Sequence, residues 1–494
     1  MTHFQDMPWR LPVLLAISLA ATALFHGTRG LYETTEGRYA ECAREMAQTG
    51  SWLEPVLNGH PHWTKPPLTY LSIRVPYKVL GPTTWAARFY LIPCHLIAIS
   101  AVWWLALRLW RDRQSAGVCA MVYATAAMPM AATQTVSADY LLTVFLVLAQ
   151  ACFWEAFRKQ SRLAAHLLWL CMGVAFLIKG PPALLILPAM VMVWFRLPKP
   201  DRRSVPLFAP TALALFFGVA SSWYVWEACK HPGLMDYWLK DEVVNRSLSD
   251  KYNRNPEFYQ NFIIYLPVLL FGMLPWSGWL VFRWREVWAK ICVPGGFRGM
   301  LTGFSDEALW LVWAVAFPLG VFMLSRSKLP LYVLPLFAPF ALGIGRILVA
   351  VHLKDSRFLK HARVTACAAL MIFVVGKAGM ALYPSSRDMS RLYKALTEQC
   401  GVRDPSRLAV LGDKPLNGLS YYFDSDLAEV PLEKTAEWAD KGGERFLLCS
   451  SRWTEVKQKL GGRMYTEVPL SKRWHVIRVA NAAGTSSEPQ KVTH

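Results

Sequence analysis

Apolar runs separated by short clusters of Lys and Arg limit what this chain can fold into more than any other feature. They cover about residues 11–25, 85–110, 116–132, 141–157, 163–178, 181–195, 205–228, 262–282, 308–324, 329–350 and 364–382. A helix needs about 17–25 apolar residues to cross hydrocarbon, so the pattern predicts an all-α polytopic membrane protein with about eleven transmembrane helices, two or three of them marginal in length. Hydrophobic residues make up 54% of the 494 positions, 22 of them Trp, against roughly 45–50% in soluble domains.

The formal net charge of +19 would suit a nucleic-acid binder only if the cations formed one basic face. They sit instead between apolar runs, which excludes nucleic acid as a partner and points to membrane topology. With the N-terminus inside, Arg111 and Arg113, then Arg158, Lys159 and Arg162, then Lys199, Arg202 and Arg203, then Arg283 and Arg285, then Lys354, Arg357, Lys360 and Arg363 all fall inside, as the positive-inside rule requires. Left outside are 28–84, 133–140, Lys179-Gly180, 229–261, 325–328 and everything after Tyr383. A cleaved signal peptide is the other reading of the first run, and it leaves the next loop outside all the same.

The outer stretch 31–70 carries the densest chemistry. Glu33 and Glu36 precede a short amphipathic helix that Thr34 or Thr35 can cap, with Tyr39, Ala40, Ala43, Met46 and Ala47 on its apolar side and Arg38 close to the two acids. Glu41, Arg44 and Glu45 read as a solvated face joined by pairs one turn apart. Lys65 stands before Pro66-Pro67, which hold the backbone extended and remove N–H donors. A stiffly presented cation suits a phosphate, and snorkelling to lipid head groups is the alternative. A second interfacial helix follows over 68–80.

Asp139 opens a span from the outer side, where an ionisable residue is a functional candidate or a favourable partner for the helix dipole. Lys179-Gly180-Pro181-Pro182 joins two spans so tightly that the lysine stays at the outer interface, as phosphate ligand or anchor. The 229–261 loop offers Arg246 and Arg254 for an anion, and the turn at 325–332 offers Arg326, Lys328 and Tyr332. Residues 1–383 thus form the membrane domain, and 384–483 read as a small soluble α/β domain with strands in RLAVLG, RFLLCSS and WHVIRVA, helices near 389–399 and 454–460, and a disordered tail over 484–494. The ten cysteines show no metal-ligand spacing. Cys400 and Cys449, which share the C-terminal region, are the candidates for a disulfide.

TTEGRYAECAREMAQTGSWLEPVLNG followed by HWTKPPLTY resembles the first periplasmic loop of the bacterial aminoarabinose transferase and protein O-mannosyltransferase group, membrane glycosyltransferases of the GT-C fold. The resemblance continues through SADYLLTVF, FLIKGPPALLILP, LPWSGWL and SRSKLPLYVLPLFAP, over most of residues 30–345. It implies a protein of the bacterial inner membrane that moves a sugar, with inversion, from a polyprenyl phosphate donor to a hydroxyl or phosphate on a lipid (lipid A-like) or protein acceptor at the periplasmic face, without a cofactor. Arg38, Lys65, Lys328 and Tyr332 match positions associated with the donor phosphate, and Asp139 matches the second-loop acid. The group's first loop usually carries Asp-Glu before Ala-Arg-Tyr. Here Thr35-Glu36 stand in that place, so Glu36, with Glu33 as second choice, is the expected base. The group also carries Glu before Lys-Pro-Pro and a His in the 229–261 loop. This chain has Thr64 and Val243, so no metal is expected there.

Lys and Arg at the membrane surface would stabilise the charge developing on a sugar-phosphate leaving group, a carboxylate would take the acceptor proton, and Asp139 would orient the acceptor or support the base. A transporter or flippase would instead need mid-span charges and internal repeats, which do not stand out. A noncatalytic sugar-lipid binding protein is the third reading.

Overall fold

Each of the eleven apolar runs becomes helix in the computed structural model, which describes residues 10–197, 206–240, 255, 257–285, 305–352, 356–383, 385–411, 415–441, 444–450, 453–471 and 473–479. Among these, seven helices are long and apolar enough to cross a membrane: Thr84–Trp110, Ala138–Lys159, Arg162–Lys179, Pro210–Lys230, Asp306–Leu324, Pro330–Val351 and Arg357–Leu382. The pair Gln260–Gly272 and Trp276–Phe282, bent by 84°, makes an eighth if counted as one span. The expected count of about eleven is lower here because two runs form only short apolar helices, Leu11–Ala23 and Pro181–Arg196, and a third is broken between Arg113–Thr125 and Ala127–Ala132.

The break and the bend satisfy each other. Ala127 N–H donates to Leu274 O at 3.0 Å, and the Trp276 indole N–H donates to Thr125 Oγ1 at 2.9 Å. Irregular backbone at membrane depth has to find such partners within the protein.

The chain divides into two compact units, one of Met1–Thr28, Thr49–Pro55 and Pro61–Ala381, the other of Arg29–Gln48, Val56–His60 and Leu382–His494. In the first, Ala138–Lys159 is the central helix, with 78% of its apolar window buried, against 17% for Asp306–Leu324 and Arg357–Leu382. One end of this bundle is laced with ion pairs: Arg108 and Lys159 with Glu155, Arg158 with Glu307, and Arg196 with Asp306. At the end of Leu11–Ala23, the Lys377 ammonium donates to Thr22 O at 2.6 Å and Ala21 O at 3.3 Å, which satisfies carbonyls that the helix leaves without a partner.

The second unit holds a five-stranded sheet of Leu408–Leu411, Ala428–Val430, Arg445–Cys449, Tyr465–Pro469 and His475–Val479. In that numbering its order is second, first, third, fifth, fourth, parallel among the first three and antiparallel beyond. Alternate residues feed two cores: Leu408, Val410, Phe446 and Leu448 on one face, Ala409, Leu411 and Leu447 on the other. Cys400 belongs to the first core and Cys449 to the second. The candidate disulfide between them does not form: the two lie in cores on opposite faces of the sheet, and both thiols are free.

The first-loop helix Thr35–Gln48 belongs to this same unit and packs on Asn417–Phe423. The residues expected on its solvated face are buried: Glu41 takes two Arg44 N–H groups at 2.6 and 2.7 Å, and the Glu45 carboxylate accepts the N–H groups of Asn58 and Gly59 at 2.7 and 3.0 Å. A Cβ on Gly37 would stand 2.4 Å from Gly418 N and 2.5 Å from its Cα. Gly37→Ala is therefore expected to destabilise this unit by about 3 kcal/mol or more, since backbone rather than side chain would have to move. Thermal unfolding followed by tryptophan fluorescence checks it.

Candidate functional site

In the first unit, two helix ends bring opposite charges together. Asp139 lies in the first turn of Ala138–Lys159, whose N-cap Ser137 accepts from Asp139 N–H at 3.3 Å. Lys179 is the last residue of Arg162–Lys179. Each charge complements the dipole of its own helix, and the two side chains form a direct ion pair, 10% and 12% exposed. The turn that holds the lysine there needs Gly180, at φ 73°, whose N–H closes on Phe176 O at 2.7 Å.

The Lys179 ammonium also sits over the Tyr332 ring, 4.3 Å from its centroid, a cation–π contact. A small cavity of about 20 Å³ between helices is lined by Lys179 and Tyr332 and by apolar side chains such as Leu142, Leu146, Leu185 and Phe322. A cation set beside apolar walls suits the anionic head of a ligand that carries a hydrocarbon tail. Tyr265, buried on Gln260–Gly272, lies within electrostatic reach of Tyr332 and Asp139. The sequence reading passed over it as one more aromatic in an apolar run.

Lys328 is almost fully buried, and its ammonium donates to Ser325 O at 2.8 Å and Asn255 O at 3.4 Å. Burial lowers its pKa. It is thus engaged with carbonyls beyond Asp306–Leu324. Lys65 is half-buried, directly before the helix Leu68–Leu80. Arg246 lies outside the described residues, as does Val243.

Glu33, Glu36 and Arg38 fall in the second unit. Glu36 is buried and fully used: Arg29 donates to its two oxygens at 2.6 and 3.1 Å, and Tyr32 N–H adds a third bond at 2.9 Å. Glu33 accepts one bond, from Gly418 N–H at 2.7 Å. Its Oε1 is shielded from solvent and has no hydrogen-bond partner among the described residues. Burial pushes its pKa up to about 7, against the Gly418 bond and the charges of Arg38 and Arg473. Of the two acids, Glu33 has the free oxygen and the proton affinity that a base near neutral pH needs.

The family model described as dolichyl-phosphate-mannose-protein mannosyltransferase matches residues 12–237. The undecaprenyl phosphate-alpha-4-amino-4-deoxy-L-arabinose arabinosyl transferase of Erwinia tasmaniensis is 30% identical over 342 residues, 67% of this chain and 58% of the relative. A second protein of that name, from Sodalis glossinidius, is 30% identical over 365 residues, 72% and 63% of the two chains. The chain is thus similar in sequence to this aminoarabinose transferase group of membrane proteins. It matches 58% and 63% of the length of these relatives. The fold agrees: the structure of ArnT from Cupriavidus metallidurans bound to undecaprenyl phosphate superposes with a TM-score of 0.75 at 18% identity, over 96% of this chain and 99% of that one. The Archaeoglobus fulgidus oligosaccharyltransferase follows at 0.55 and 12% identity, over 94% and 73%.

Proposed function

We propose that the protein is an inverting glycosyltransferase that moves a sugar from a polyprenyl phosphate, undecaprenyl phosphate by analogy with its relatives, to an envelope lipid of the lipid A class at the periplasmic face of the bacterial inner membrane. The observation that carries this reading is Lys179 at its helix end, held between Asp139 and the Tyr332 ring beside apolar side chains. The periplasmic placement follows from the Lys and Arg clusters that mark the opposite loops as cytoplasmic.

In the step, the acceptor oxygen attacks the anomeric carbon, the bond from that carbon to the phosphate oxygen breaks, and the polyprenyl phosphate leaves with the electron pair. Glu33 takes the acceptor proton. Lys179 and Lys65 are the cations assigned to the phosphate as its charge grows, a transition-state stabilisation that preorganised donors supply without reorganisation. Arg38 holds the field around Glu33, and Asp139 fixes Lys179.

The test is release of polyprenyl phosphate by the protein reconstituted in lipid, with a panel of undecaprenyl phosphate sugars and both lipid and peptide acceptors. One donor is expected to be consumed with a lipid acceptor. Lys65→Ala is expected to raise the donor KM about 10- to 100-fold, the loss of one charge-assisted hydrogen bond of about 1.5–3 kcal/mol. Transfer to peptide alone would move the acceptor to protein, and binding without transfer would overturn the enzyme reading.

A further inference from the structure

The helix Leu68–Leu80 carries two cations that the protein leaves without a counter-charge. Arg74 is 1% exposed, and its guanidinium stacks on the Trp52 ring, 3.9 Å from the centroid. Lys78, one turn further along the helix, places its ammonium over the same ring at 4.5 Å. One Arg74 N–H donates to Ser51 O. Its Nε is buried with no hydrogen-bond partner among the described residues, and desolvation, with no carboxylate to oppose it, lowers its pKa. Sharing one ring, the two cations lie inside the ~8 Å over which charges feel one another at physiological salt.

The surface around them points to lipid. Val75 and Val79 are exposed, Val79 to 81%, and helical spacing sets them on one face with Lys78. Trp52, half-exposed, adds an indole N–H with no hydrogen-bond partner among the described residues. Apolar side chains, cations and a tryptophan on one surface are the composition of a helix lying in the head-group layer of a membrane. Only Gly81, Pro82 and Thr83 separate its end from the span Thr84–Trp110, which keeps it at that depth. Apolar side chains alone would be satisfied by any acyl chain. Two cations without a carboxylate call for negative charge as well, and a zwitterionic head group brings an ammonium of its own that competes with them.

We propose that Lys78, Arg74 and the Trp52 indole bind the head group of one anionic glycerophospholipid. The phosphate accepts from the Lys78 ammonium and the Trp52 N–H, Arg74 supplies a second positive charge from beneath the ring, and the acyl chains lie along Val75 and Val79. The lipid fixes the depth of a helix that starts directly after Lys65-Pro66-Pro67. The site is independent of which sugar or acceptor the protein uses, and it stands or falls apart from the transferase reading.

The test is native mass spectrometry of the full-length protein, delipidated in detergent and titrated with phosphatidylglycerol or phosphatidylethanolamine of identical acyl chains. The wild type is expected to hold phosphatidylglycerol about 10-fold more tightly. A chain of net charge +19 attracts anionic lipid elsewhere too, so the site is read from variants. Arg74→Met and Lys78→Met should each reduce the preference about fivefold; Lys78→Met, at an exposed position, covers the case in which Arg74→Met fails to fold. In vesicles of the two lipids in equal amounts, the emission of Trp52, read as wild type minus Trp52→Phe, should be quenched more when phosphatidylglycerol carries brominated chains than when phosphatidylethanolamine does. Equal retention of the two lipids by the folded wild type, an unchanged preference in Lys78→Met, or equal quenching by the two brominated lipids would reduce the cluster to a stack that holds Trp52 in place and overturn the proposal.

Discussion

Glu36→Gln is expected to destabilise the protein by about 3–5 kcal/mol, while Glu33→Gln keeps the fold and loses transfer. The two acids stand three residues apart but differ in what holds them. Glu36 forms a bidentate pair with Arg29, both buried, and accepts Tyr32 N–H as well. A Gln there removes the carboxylate that pairs with the Arg29 guanidinium, so any activity lost is lost with the fold.

Glu33 differs in sign. Its folded pKa, raised by burial to about 7, lies above the ordinary value of about 4.3 that it has when unfolded. Between those values the folded state holds the proton more tightly, so stability falls as pH rises through this window, by about 4 kcal/mol at most, and the penalty is fully present above about 7. Glu33→Gln keeps an oxygen for Gly418 N–H and removes the charge. The variant should therefore match the wild type near pH 4 and exceed it near pH 8 in chemical unfolding. As general base, ionised Glu33 should make wild-type kcat/KM climb through about pH 7, and its loss should cost about 100- to 10,000-fold. If Glu33→Gln transfers sugar at the wild-type rate while Glu36→Gln is folded and dead, the base is Glu36.

The sequence carried the helices because hydrophobic runs and flanking cations are local signals. It carried Lys179 for the same reason, since a Lys-Gly-Pro-Pro turn between two spans leaves the lysine nowhere else to go. Its place in a motif puts Glu36 first, whereas the partner that uses Glu36 up, Arg29, lies seven residues before it and outside that motif. Lys328 matches a phosphate position by resemblance, and the fold adds the carbonyls of Ser325 and Asn255 around its ammonium. Glu41, Arg44 and Glu45 form a polar stripe that any periodicity argument turns to solvent. Their burial depends on the turn at Asn58-Gly59 and on Asp424, which pairs with Arg44 from far along the chain.

The Asp139–Lys179 pair should behave as one unit. Lys179→Ala leaves Asp139 mostly buried without its cation, and Asp139→Ala does the converse, so each single change is expected to cost about 3–5 kcal/mol of stability. The double variant should cost less than their sum by about 1–3 kcal/mol, the coupling that residues in direct contact show. Donor binding separates the roles. Lys179→Ala is expected to raise the donor KM about 10- to 100-fold, because it removes a charged donor to phosphate, and Arg in its place should restore it only in part, since a planar fork does not reproduce a point charge. Asp139→Asn keeps the shape of the side chain and releases Lys179 from its counter-charge, so the donor should bind no more weakly while kcat falls with the lost positioning. Tyr332 discriminates further: Phe preserves the ring face under the ammonium and should leave the KM within about threefold, whereas Ala removes a contact of about 1–2 kcal/mol. A donor KM unmoved by Lys179→Ala in a folded protein would mean that the phosphate sits elsewhere and that the ion pair serves only to join the two helix ends.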